Sequence, residues 1–157
     1  MRAARFLALF CCAFALPLFA ATPTGGALNS PASAGQSSSV TWSGGPYTGA
    51  TADPSVCTTV TCDSYTLNVN VPATFYSSNP NYTIQVGINW ASSTNDFDLY
   101  VHDSAGNVVC SSGQGNTNFE LADCGQLPAG AYTVQVVAFT TVSASYNGNA
   151  TLGHRPG

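Results

Sequence analysis

The chain has 157 residues, only 6% of them charged, with three Lys or Arg against seven Asp or Glu and a net charge of −4. There is no lysine, and two of the three arginines lie in the first five residues. Such a chain cannot neutralise a phosphate backbone, which excludes nucleic-acid and anionic-membrane binding, while its many β-branched and aromatic residues exclude a disordered polymer.

The N-terminus sets Arg2 and Arg5 ahead of an apolar run from Phe6 to Phe19, which ends in the small residues Ala20, Ala21 and Thr22. That order is the anatomy of a secretory signal peptide, read here as residues 1–21. The run is shorter than the roughly 20 residues a membrane-spanning helix needs, so no membrane association is expected after cleavage. Cys11 and Cys12 sit inside the run with no small residue before them, which disfavours lipoprotein processing. The mature chain of about 136 residues then holds Arg155 as its only strong base against seven carboxylates, a net charge of −6.

Residues 22–39 are rich in Gly, Pro, Ala and Ser without apolar periodicity and read as a flexible linker. From Val40 onward, apolar residues recur at every second position in short runs broken by Gly, Pro, Asn and Asp, the signature of strands. Strands are predicted at residues 65–71, 82–90, 96–102, 107–111, 119–122, 131–139 and 146–152, with short ones at 40–42 and 58–61. Nothing shows helical spacing over eleven residues. The reading is an all-β, antiparallel, jelly-roll-like β-sandwich of seven to nine strands over residues 40–153, with a tail at 154–157.

Cys57, Cys62, Cys110 and Cys124 remain after leader removal. An even number in an exported chain reads as disulfides, and of three formal pairings the sequence-local one is favoured, Cys57 with Cys62 and Cys110 with Cys124. A zinc site would need CxxC or Cys/His spacing, which the sequence lacks.

Three motifs in order resemble the bacterial prepeptidase C-terminal domain family. They are Asn95-Asp96-Phe97-Asp98-Leu99-Tyr100-Val101, then the turn Asp103-Ser104-Ala105-Gly106-Asn107, then Pro128-Ala129-Gly130-Ala131-Tyr132-Thr133-Val134. The resemblance spans about residues 64–152. It implies a jelly-roll-like sandwich attached to secreted proteases and other exported enzymes, where it supports secretion, stability or substrate attachment. By the same resemblance the chain is either a stand-alone module or a fragment whose downstream enzyme or repeat domain is missing. The alternative is a stand-alone module that binds a polysaccharide or a protein.

Chemistry is sparse. Asp103-Ser104-Ala105-Gly106 beside His102 imitates a serine nucleophile, but a triad needs a positioned base and an oxyanion hole, and Ser104 falls in a predicted hairpin turn. No GxSxG elbow occurs, and no enzymatic activity is expected. Period-two geometry places Asp96, Asp98, Tyr100 and His102 on one face, opposite Phe97, Leu99 and Val101. Two readings of the carboxylates stand. They are solvated surface groups, or Asp96, Asp98, Asp103 and Asp123 supply oxygen ligands to a calcium ion, the one cofactor the sequence raises. A glycosidase pair formed by Asp96 and Asp98 is disfavoured for want of a pocket. Tyr100 and Phe139 fall out of phase with their strands' apolar sets and are the expected ligand patch.

Overall fold

The computed structural model describes residues 20–155, residue 52 excepted. The leader, up to residue 19, lies outside the described residues, as do residues 156–157 of the expected tail. Eight strands follow in order: β1 (Gly25–Asn29), β2 (Ser38–Ala50), β3 (Cys62–Asn70), β4 (Tyr82–Trp90), β5 (Asp96–His102), β6 (Val108–Ser112), β7 (Phe119–Gly125) and β8 (Gly130–His154). A 3₁₀ turn (Pro54–Val56) and a six-residue helix α1 (Ala73–Ser78) complete the set.

The architecture turns on β8. Its first half lies between β3 and β5, with Leu67 opposite Tyr132 and Leu99 opposite Val136. Its second half lies between β2 and β4, with Trp42 and Ile88 both opposite Gly148. One 25-residue strand therefore serves both layers. It bends between them, where Ser143 takes a φ of 48° and the amides of Val142 and Ser143 donate to Asn95 Oδ1 and Thr48 Oγ1. The layers run β1-β3-β8-β5-β6 and β2-β8-β4-β7. All pairings are antiparallel except β1 with β3, which is parallel.

Alternation fills the space between the layers. Tyr65, Leu67 and Val69 of β3, Ile84, Val86 and Ile88 of β4, and Phe97, Leu99 and Val101 of β5 are all buried, each worth about 1.5–3 kcal/mol of transfer free energy. Aromatic pairs bridge the layers. Trp42 stacks on Tyr65 at 4.1 Å, and Phe97 packs edge-on against Trp90 at 5.3 Å and beside Tyr146 at 5.7 Å. The sequence-local cysteine pairing is realised, with Cα separations of 5.4 Å for Cys57–Cys62 and 5.1 Å for Cys110–Cys124. The second bridge joins β6 of one layer to β7 of the other, while the first closes the loop that leads into β3.

Three expectations need correction. Residues 22–39 are not a free linker: β1 runs through them, with Leu28 at 0% exposure. Their small residues permit close packing, since a Cβ on Gly26 would run into the Tyr65 hydroxyl. Residues 58–61 form a turn, with the amides of Thr61 and Cys62 both donating to Thr58 O. The strands expected at 131–139 and 146–152 are one, and it reaches into the expected tail, because His154 pairs with Tyr82. Helix α1 is too short to display a helical period, yet its Tyr76 is buried.

Candidate functional site

Two outer faces carry the residues of interest. On the first layer, β5 places Asp96, Asp98, Tyr100 and His102 half-buried on its outer side, with Phe97, Leu99 and Val101 at 0% exposure inside. The carboxylates are held in a low-dielectric setting. Burial, then the charges of Asp96 and Glu120, push Asp98 up to about 6, and burial raises Asp96 as well. Asp96 Oδ1 is buried without a hydrogen-bond partner.

The other calcium candidates are elsewhere. Asp103 caps the β5–β6 turn, accepting from the amides of Ala105 and Asn107 at 2.9 Å, bonds that hold its carboxyl below the usual range. It lies five residues along the strand from Asp98, about 17 Å at 3.3 Å per residue. Asp123 stands exposed on the second layer, with Oδ1 accepting from the Gly125 amide. Among the described residues, no group of three or more His, Cys, Asp or Glu side chains is placed to hold a metal ion.

The residues around Ser104 are structural in this arrangement. His102 is fixed between Gly106 O at 3.2 Å and Gln135 Oε1 at 3.0 Å, and the Asp103 carboxylate is committed to the turn.

Tyr100 and Phe139 do share a face, since Tyr100 pairs with Gln135 and Phe139 lies four residues along β8 from it, roughly 13 Å away. The space between them is taken by the chain itself. Thr51 and the segment from Asp53 to Cys62 lie along β8, with Gln135 Nε2 donating to Cys57 Sγ, the Thr51 amide donating to Ala138 O and the Ala138 amide to Thr61 O, and Val137 is 1% exposed. Both rings are half-buried rather than open.

The open face is on the other layer, and sequence patterning did not point to it. Strand β7 is inverted: Phe119 and Leu121 are 51% and 47% exposed, while Glu120 is 1% exposed and Ala122 is fully buried. Glu120 turns inward because it has partners there. Its carboxylate accepts from the Gln114 amide at 2.7 Å and from the Ser112 hydroxyl, tying down the loop between β6 and β7. With the glutamate satisfied inside, the two large apolar side chains must face out.

They face a neutral polar field. Register aligns three outward rows across β2, β8, β4 and β7: Ser43, Asn147, Asn89 and Phe119; then Thr41, Asn149, Gly87 and Leu121; then Ser39, Thr151, Gln85 and Asp123. Asp123 is the only charge in the twelve positions. A shallow trough of about 490 Å³ runs beside the first two rows, lined in part by Thr41, Asn89, Asn147 and Asn149. Amides and hydroxyls beside an exposed ring can hydrogen-bond a polyhydroxylated ligand while the ring takes its apolar face.

Two layers sharing one long strand, antiparallel throughout except where β1 joins β3, define a jelly-roll-like β-sandwich. The fold is similar to that of the pre-peptidase C-terminal domain of collagenase from Bacillus anthracis, with a TM-score of 0.51 and 16% identity over 86% of this chain and 97% of that one. At that identity the likeness is one of fold. No protein-family model matches the chain, and no curated protein matches it.

Proposed function

We propose that this chain is a non-catalytic accessory module of an exported protein, and that the outer face of the β2-β8-β4-β7 layer attaches it to a neutral polysaccharide. The inversion of β7 carries this reading. Glu120's inward partners turn Phe119 and Leu121 out on one open face, side by side and next to hydrogen-bonding rows, and that combination of apolar and amide groups is what favours an interaction surface there. The amide and hydroxyl rows beside Phe119 and Leu121 favour a hydroxyl-rich, uncharged ligand over a charged partner. Export is supported by the charged and apolar leader and by the two disulfides, which persist in oxidising compartments.

The test is retention on insoluble cellulose, chitin and xylan, comparing the native chain with Phe119→Ala and Leu121→Ser. Attachment to at least one of them is expected, with each substitution weakening it about tenfold, the equivalent of about 1.4 kcal/mol. Retention unchanged by both substitutions, or none on any of the three polymers, would count against the reading.

A further inference from the structure

Asp63, the second residue of β3, is only 4% exposed. Its Oδ1 accepts from the backbone nitrogen of Ala21 at 2.8 Å and from the Ser64 amide at 2.8 Å, and its Oδ2 accepts from the Tyr146 hydroxyl at 2.7 Å. The Tyr47 hydroxyl is also bonded to it. Strand β2 passes so close that a Cβ on Gly44 would run into Oδ2 and the Tyr146 ring. All these donors are neutral. The only strong base among the described residues, Arg155, donates instead to Thr83 Oγ1. A carboxylate taken out of water without a cation is a costly arrangement.

The nitrogen facing that carboxylate belongs to Ala21, the last residue of the leader as read from the sequence; its burial and this bond place the cut one bond earlier, ahead of Ala21 rather than after it. Ala20 is exposed and Ala21 is 1% exposed, so the bond between them is where the chain passes from solvent into the sandwich. Beyond it, Thr22 exchanges backbone hydrogen bonds with Ser43 at 2.8 and 3.0 Å, which fixes the Ala21 nitrogen in place.

We infer that export processing hydrolyses the Ala20–Ala21 bond, and that the α-ammonium so created at Ala21 forms a buried ion pair with Asp63 that locks the mature sandwich. The inference rests on the exported reading of the chain. A host signal peptidase adds one water across the amide: Ala20 departs with a new carboxylate, and Ala21 keeps the nitrogen as an amine that takes up a proton. The unprocessed chain makes the same hydrogen bond through a neutral amide. Processing therefore adds the missing charge without moving the atom. A cavity of about 220 Å³ beside the bond, bordered by Ser43, Ser145 and Asn147, leaves room for the ammonium's remaining protons.

The experiment expresses the full chain with its leader in a secreting bacterial host and reads the exported product by intact mass and N-terminal sequencing. A second chain carries one Gly inserted between Ala20 and Ala21, so that processing leaves a residue ahead of Ala21; both are made with Asp63 and with Asp63→Asn. A product beginning at Ala21 is expected. The extension should lower the melting midpoint by about 5–10 °C with Asp63 in place and by much less in the Asp63→Asn background. In the folded native chain the Ala21 amine should react with an acylating reagent at least about tenfold more slowly than in a peptide of the same N-terminal sequence, a readout that stands if Asp63→Asn does not fold. A product that begins elsewhere, an equal loss in both backgrounds, or an amine as reactive as the peptide's overturns the inference and leaves export intact. A chain that keeps its leader overturns both.

Discussion

At the scale of single residues, the fold handles its few charges in opposite ways. Asp103 is exposed and served by turn amides, whereas Asp98 is half-buried beside Asp96 and Glu120 and is raised to about 6. For Asp98 the folded chain holds its proton more tightly than the unfolded chain, whose carboxyl titrates near the ordinary 3.8. Its contribution to stability is thus fullest below about pH 4 and is lost as pH rises through about 6. Solvent screening at a half-exposed site limits the effect to about 1 kcal/mol. Denaturant melts of native chain and Asp98→Asn from pH 4 to 8 should show the variant gaining on the native chain over that interval; parallel curves would remove Asp98 as the cause. The side to which Asp96 and Asp98 point was legible from their alternation with Phe97 and Leu99. The burial of Asp63 and Glu120 was not, because their partners are set by folding: Tyr146 lies 83 residues from Asp63 in the chain. Pattern reading assigns a carboxylate to solvent unless its donors can be foreseen.

At the scale of elements, β4 and β5 were legible to the residue, since clean period-two runs bounded by turn residues leave little choice. Strand β1 was hidden by its composition, having one large apolar residue and glycines that serve close approach rather than flexibility. Leu28→Ala should cost about 3 kcal/mol in a chemical melt if β1 belongs to the core; a free linker would show no change. The β6–β7 bridge spans layers, and replacing Cys110 and Cys124 by Ala should cost about 3 kcal/mol by the loop-closure estimate. Retention of full stability would mean that the layers are held without it. Strand β7 shows the limit of patterning. Alternation in Phe119-Glu120-Leu121-Ala122 is plain, but its phase is not, and hydrophobicity alone points the apolar pair inward. The inward donors of Ser112 and Gln114 reverse it.

At the scale of the whole molecule, one strand shared by both layers leaves two outer faces of different character. The β5 face is acidic and partly roofed by the Cys57–Cys62 loop, and the β4–β7 face is neutral, amide-rich and open. The all-β class and the sandwich were readable from the sequence, as was the paucity of basic groups, but the face that carries the open patch was not. Tyr100 and Phe139 announce themselves by being out of phase, yet the loop that covers the space between them is a long-range feature. The neutral face needs register across four strands to assemble it.

The proposed attachment assigns the ligand to this neutral face and not to the β5 face. The direct measurement is amide chemical-shift mapping of the ¹⁵N-labelled chain titrated with soluble cello-, chito- and xylo-oligosaccharides. Shifts that saturate at Phe119, Leu121, Asn89, Asn147 and Asn149 are predicted. Shifts confined to Tyr100, His102 and Phe139, or a spectrum unmoved by all three sugars, would contradict the account.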